Sequence, residues 1–163
     1  EVAVCVASAL NEAGLETELD IVGCDPRGDL PRFVNRLGFI SKAEPDGKKK
    51  LSELLMQSHF LVLPARAECF GVVLCEANAH ALPVLATRVG GIPTIVRDDV
   101  NGRLFSTDAT PDEYSSYVID VMARSWRYRE LALSSFEEYR QRLNWAVAGA
   151  TVRRLLEGIV ASS

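Results

Sequence analysis

The sequence predicts an α/β fold: a parallel sheet with helices on both faces, followed by a helical C-terminal tail. Three observations carry that reading. Short apolar runs recur between residues 18 and 105, several of them closed by Gly or Pro, as strands buried in a parallel sheet are. Segments with apolar residues at helical spacing alternate with these runs, and alternating βα units favour parallel strands covered on both sides. Beyond Phe105 the strand pattern stops and only helical segments follow.

Residues 1–13, EVAVCVASALNEA, form an amphipathic helix with Cys5, Val6, Ala9, Leu10 and Ala13 on one face and Gly14 as its C-terminal cap. A chain that opens inside a helix, with no strand ahead of it, is expected to be part of a longer protein. Residues 18–22 are a strand ending at Gly23, and residues 33–37 a second strand running into Gly38-Phe39-Ile40. Residues 46–57 are a helix carrying Leu51, Leu54 and Leu55 at helical spacing, with Lys48-Lys49-Lys50 as its solvated start rather than a binding patch. Phe60-Leu61-Val62-Leu63 is a strand ended by Pro64. A helix follows from Phe70 or Gly71 to about Ala81. Val84-Leu85-Ala86 is another buried strand, residues 89–93 are a Gly-Gly turn, and residues 102–105 are the last strand.

Thr110-Pro111-Asp112-Glu113 is a helix start, with Thr as N-cap, Pro at the first position and Glu at the third. That helix runs to about Arg124. Residues 126–142 hold one or two more helices, and Asn144 caps a last one through about Ala161, with Trp145 at its start. The five strands and their helices make one Rossmann-like lobe.

A length of 163 residues suits one domain or one lobe of a larger protein, and 48% hydrophobic residues are enough for a sizeable core. The net charge of −4 with scattered basic residues points away from nucleic acid. No apolar run approaches the ~18 residues of a membrane span, and no signal-peptide pattern stands at residue 1. Cys5, Cys24, Cys69 and Cys75 form no C-x-x-C pair and lie in or beside apolar segments. They read as reduced, packing thiols of a cytoplasmic protein. His59 and His80 are too few and too separated for a metal site.

Residues 64–105 hold the chemistry. The loop before the residue 71 helix lies at the carboxyl end of a strand and the amino end of a helix, where open α/β sheets bind ligands. The free N–H groups of the first helical turn favour an anion such as a phosphate, and Gly71 leaves room for a ligand to approach the backbone. Glu76 sits in a nearly apolar helix, where a buried carboxylate needs hydrogen-bond partners. Two readings stand for it: hydroxyl groups of a ligand, such as a ribose diol, or an exposed helix face with His80 at i+4. Glu68 either meets a ligand or answers the helix dipole.

Together these residues resemble the donor-binding core of retaining glycosyltransferases of the GT-B fold, group 1 family. The family pattern is roughly P-S-R-x-E-G-F-G-L-x-x-x-E-A-M-A-x-G-x-P-V-V-A-T-x-x-G-G-x-x-E. Here Pro64, Arg66, Glu68, Phe70-Gly71, Glu76-Ala77, Ala79, Pro83-Val84, Ala86-Thr87 and Gly90-Gly91 stand at matching spacing, and Asn101-Gly102 with Leu104 matches the segment that follows. Ile21-Val22-Gly23, Gly38-Phe39-Ile40 and Leu143-Asn144-Trp145 match flanking family segments, so the resemblance covers essentially the whole chain. It departs at Cys69 (usually Gly), Asn78 (commonly Met), Ala81 (usually Gly) and Thr94 (usually Glu).

The resemblance implies roles. Glu68, the catalytic candidate, lies beside the donor sugar. Phe70, Gly71 and Val72 offer backbone N–H groups to the sugar hydroxyls and diphosphate. Glu76 grips the ribose hydroxyls. Phe39 and Ile40 are base-site candidates, Phe39 equally readable as core or rim, and Gly90 and Gly91 lie near the donor. It also implies transfer from a nucleotide-diphosphate sugar without metal or other cofactor, the acceptor being held by an N-terminal lobe that this chain lacks. An Arg and a Lys that hold the donor diphosphate in the family precede the first residue here. The isolated chain is expected not to turn over. Peripheral membrane contact would depend on the other lobe. The alternative is a non-catalytic Rossmann-like module that binds a nucleotide or sugar phosphate.

Overall fold

The computed structural model describes residues 1–161. The elements run α1 (Val2–Glu12), β1 (Leu19–Val22), β2 (Val34–Gly38), α2 (Pro45–Gln57), β3 (Leu61–Leu63), α3 (Val72–Ala79), β4 (Val84–Thr87), α4 (Ile92–Ile95), β5 (Gly102–Phe105), α5 (Pro111–Met122), α6 (Ser125–Arg142) and α7 (Trp145–Ala161). All strand pairings are parallel. The strands do not form one continuous ladder, however. β3-β4-β5 make a three-stranded sheet, and among the described residues β1 pairs with β2 alone. β1 alternates half-buried and exposed residues, and its Asp20 is held on the exposed side by the Asn35 amide at 2.9 Å.

β4 is the centre of the larger sheet and its four residues are all buried, which is why Val84-Leu85-Ala86 reads as an unbroken apolar run. Two clusters flank it. Val84 and Ala86 pack with Leu55, Leu74, Ala77, Ile92, Ile95 and Leu104, bringing α2, α3 and α4 onto the sheet. Leu85 faces the other way, with Val6, Leu10, Phe105, Tyr114 and Val118, bringing in α1 and α5. Fully burying each of the Val, Leu, Ile and Phe side chains among them contributes about 1.5–3 kcal/mol of transfer free energy. Phe105 and Tyr114 stack with ring centroids 3.7 Å apart. The alternation of partners along β4 follows from the period of two in a strand.

Local signals in the sequence set the element ends. α1 closes in a Schellman motif: Leu15 N–H donates to Leu10 C=O and Gly14 N–H to Asn11 C=O, each at 3.0 Å. Thr110 and Glu113 form the expected capping box. Asn144 caps α7 through a bond from Val147 N–H at 3.0 Å, while its amide donates to Tyr139 and Arg140 C=O at 2.9 Å, joining α6 to α7. Residues 126–142 prove to be one helix, begun at Ser125. Lys48, Lys49 and Lys50 are all exposed on α2.

Two expectations are corrected. The buried face of α1 keeps the expected Val6 and Leu10, but it adds Ala7 and leaves the expected Cys5 exposed. Its direction is set by α5 and the Phe105–Tyr114 stack, which no local period encodes. The thiols are also less packed than expected: Cys5, Cys24 and Cys69 are exposed and only Cys75 is half-buried.

α3 is shorter than the expected span to Ala81, because it too ends in a Schellman motif. Leu82 N–H reaches Ala77 C=O at 3.0 Å and Ala81 N–H reaches Asn78 C=O at 3.1 Å. The motif forces Ala81 to φ +56°. That left-handed conformation suits the glycine of the resembling pattern and strains an alanine by about 1 kcal/mol. Ala81→Gly is therefore expected to raise stability by about 0.5–1 kcal/mol. Denaturant melts showing no gain would refute that account of the strain.

Candidate functional site

The site is built on the loop from β3 into α3. Pro64 ends the strand and Gly71, at φ +87°, turns the chain into the helix as its N-cap. Gly71 has no side chain with which to cap, so the first-turn amides of Val72 and Val73 are left to other acceptors. Val72 and Phe70 are about half exposed, at 50% and 47%. Glu68 folds back within the loop: its Oε1 accepts the Phe70 N–H at 3.3 Å. That amide, which the resemblance assigns to a ligand, is thus weakly engaged by the candidate carboxylate itself.

The Gly90-Gly91 turn lies directly against this loop. Gly91 N–H donates to the Cys69 carbonyl at 3.1 Å. A Cβ on Gly90 would sit 1.7 Å from the Glu68 carbonyl oxygen, and one on Gly91 2.4 Å from that of Cys69. The two glycines therefore serve a backbone-to-backbone approach that no side chain allows. Thr94 and Ile95, at the end of α4, hold the turn from behind. Their carbonyls accept from the Arg142 guanidinium, at 2.7 Å for Thr94. Arg142 is in turn paired with the buried Glu138, which also meets Arg97 at 3.0 Å. The structure thus brings Glu68, Phe70, Gly71, Gly90 and Gly91 together, across more than twenty residues of sequence.

Glu76 lies just over one turn into α3. Its side chain is 31% exposed, and Lys42 Nζ is 2.5 Å from both Oε1 and Oε2. His80 does not meet this carboxylate. Its Nδ1 bonds the Glu76 backbone carbonyl at 2.9 Å and its Nε2 meets Ser52 Oγ at 2.8 Å, tying α3 to α2. Lys42 follows Phe39 and Ile40 on the β2–α2 connection. Ile40 is half-buried, while Phe39 is 83% exposed. Phe39 is therefore not core, which leaves it as a rim residue or a base-site candidate. Burial pushes the neighbouring Cys75 thiol up, Arg142 pulls it down, and the Glu76 carboxylate adds to the rise.

Sequence reasoning missed Lys42, which belongs to no motif and stands 34 positions from its partner. It also missed what Asn78 does. Asn78 and Asn101 are wholly buried and bonded to each other, Asn101 Nδ2 to Asn78 Oδ1 at 2.7 Å. Asn101 also accepts the Arg97 N–H at 2.7 Å and donates to Ile95 C=O at 3.0 Å, while Asn78 donates to Leu82 C=O at 3.1 Å. The pair locks the end of α3 to the segment between α4 and β5. Two surface grooves of about 470 and 480 Å³ lie elsewhere, around Tyr117, and no candidate residue lines either. Among the described residues no group of three or more His, Cys, Asp or Glu is placed to hold a metal ion, and no helix is long and apolar enough to cross a membrane.

Comparison with known proteins bears on the family and the fold. The D-inositol 3-phosphate glycosyltransferase of Nocardiopsis dassonvillei is 32% identical over 130 residues, a match covering 79% of this chain and 29% of that protein. Sucrose-phosphate synthase from Thermosynechococcus elongatus superposes with a TM-score of 0.73 at 22% identity, over 98% of this chain and 43% of that one. HepE from Anabaena, solved in complex with UDP, superposes with a TM-score of 0.61 at 16% identity, over 97% of this chain and 55% of that one. At such identities the structures speak for the fold. The chain spans less than a third of the length of the Nocardiopsis relative. The family model described as Glycosyl transferases group 1 matches residues 3–124, and with these observations the chain is a member of that family.

Proposed function

We propose that this chain is the nucleotide-sugar-binding lobe of a retaining glycosyltransferase that works without a metal ion, the acceptor being held by a second lobe. The observation that carries the reading is the placement of Glu76. A half-buried carboxylate projects from α3 beside an open loop whose backbone is pinned by Gly90 and Gly91. A ribose diol donating to both oxygens of Glu76 would anchor the nucleoside. Its diphosphate would then reach the free first-turn amides of Val72 and Val73, where the helix dipole favours negative charge. In the transition state positive character grows on the sugar carbon and negative charge on the leaving diphosphate. Amides fixed before reaction stabilise that charge without reorganisation. Glu68, in the same loop, is the carboxylate beside the sugar, and Ile40 with the exposed Phe39 offers apolar surface to the base. The UDP bound by HepE supports a nucleoside diphosphate as the ligand class. The exposed Cys5, Cys24 and Cys69 thiols, none of them in a disulfide, suit a reducing, cytoplasmic setting.

The test is a calorimetric or NMR titration of the 163-residue chain with UDP, GDP and ADP in the absence of metal, for the natural sequence and for Glu76→Ala. One of the three is expected to bind, and Glu76→Ala to weaken it by about 10- to 100-fold, the loss of one or two charge-assisted hydrogen bonds. Binding that Glu76→Ala leaves unchanged would overturn the assignment of Glu76. Binding of none of the three would remove the donor-lobe reading.

A further inference from the structure

The Lys42–Glu76 contact has a specific shape. Lys42 Nζ is equidistant, 2.5 Å, from both carboxylate oxygens. The ammonium therefore sits on the bisector of the carboxylate, in front of it. A vicinal diol that donates one O–H to each oxygen uses that same front. The lysine and a ribose cannot both occupy it. Among the described residues, Lys42 is the sole donor to this carboxylate. His80, four residues on, is taken up by the Glu76 backbone carbonyl and Ser52. A carboxylate that is 31% exposed is thus held in one place by a single flexible cation, itself 50% exposed.

The strength of such a pair fits a removable occupant. A half-exposed ion pair contributes little net free energy, while the ammonium can regain water when it swings away on its four-carbon stem. The pair keeps the Glu76 side chain ordered and partly neutralised in the unliganded chain, and yields to a ligand that satisfies both oxygens at once. Lys42 stands two residues after Ile40, on the connection between β2 and α2.

From this geometry we infer that Lys42 is a displaceable stand-in for the ligand diol, a positioning residue that occupies the front of Glu76 until the 2′,3′-diol of a nucleoside diphosphate replaces it. The inference rests on the assignment of Glu76 to the ribose. It makes Lys42 a determinant of how strongly the site distinguishes a ribose from a sugar without the diol.

The readout is the ratio of two dissociation constants for the 163-residue chain. One is for the best-binding nucleoside diphosphate among UDP, GDP and ADP, the other for its 2′,3′-dideoxy counterpart. Lys42→Met frees the carboxylate and is expected to raise the preference for the ribose by about two- to five-fold, the range a half-exposed pair can supply. Lys42→Arg, whose planar fork grips a carboxylate through two parallel bonds, is expected to lower it. A purely structural role, or a general attraction of Lys42 for the diphosphate, moves both ligands together and leaves the ratio fixed. Opposite shifts in the two variants, with melting curves matching the natural chain, support the displacement. A ratio unmoved in both variants, or one that falls in Lys42→Met, overturns it. Glu76→Ala separates this outcome from failure of the underlying assignment. If Glu76→Ala abolishes the ribose preference and the Lys42 variants leave it alone, the displacement alone is wrong. If Glu76→Ala leaves the preference intact, or no nucleotide binds either the natural chain or Lys42→Met, both readings fall.

Discussion

Gly90→Ala is expected to lower stability by about 2–5 kcal/mol and to abolish nucleoside diphosphate binding at concentrations that saturate the natural chain. Two costs add. Gly90 sits at φ +51°, a conformation that an L-residue adopts at about 1–2 kcal/mol. Its Cβ would also stand 1.7 Å from the Glu68 carbonyl oxygen and 3.0 Å from the carbonyl carbon. Both obstructing atoms are backbone, so relief requires the loop to move by more than an ångström, and forced overpacking of this kind costs about 1–3 kcal/mol. The loop that moves is the one carrying Glu68, Phe70 and Gly71. In a chain of this size the loss corresponds to roughly 4–20 °C in Tm. The paired measurements are a thermal melt and the titration described above. A variant that melts like the natural chain and binds equally well would show that the two turns do not depend on each other.

Asn101→Ala is expected to cost about 2–4 kcal/mol without touching the exposed face of the site. The substitution removes the donor to Asn78 Oδ1 and the acceptor of the Arg97 N–H. The Asn78 oxygen is then left with no partner in a region of zero solvent exposure. Each buried polar group so orphaned costs about 1–3 kcal/mol. Ile95 C=O loses a donor too but keeps Arg142. Because Asn78 and Asn101 act on one another, the double change Asn78→Ala/Asn101→Ala should cost less than the sum of the single changes. Chemical denaturation of the four chains measures the coupling. Strict additivity, or a cost for Asn101→Ala below about 1 kcal/mol, would mean that the network adds nothing beyond its separate bonds.

The Asn78–Asn101 pair also shows how a departure from a family pattern can be read. In the sequence, Asn78 is only a polar residue where Met is common. In the structure it is one half of a satisfied pair whose other half lies 23 positions on. The Ala81 departure is different, since no partner compensates it and the strain stays in the backbone. Cys69 is exposed and its carbonyl, not its side chain, makes the contact with Gly91. Thr94 bonds the Gly91 carbonyl through its hydroxyl at 2.6 Å, keeping to the local turn.

The residues alone were enough for the succession of strands and helices, the capping box at Thr110, the Gly14 and Asn144 caps, and the loop that carries Glu68 into the α3 helix. All of these rest on forces that act within a few positions: the period of burial, the dihedral freedom of glycine, and side-chain oxygens that reach nearby amides. The spacing of the carboxylates and glycines also held enough order to indicate the family. Folding in three dimensions settled the rest. It set which face of α1 is covered, that β1 and β2 pair apart from β3-β4-β5, that Gly90 backs onto Glu68, and that Lys42 sits in front of Glu76. The reason is common to all four. Each depends on two segments far apart in the chain meeting at a set distance. A pair of residues 34 positions apart has no signature in either neighbourhood until the backbone path between them is known.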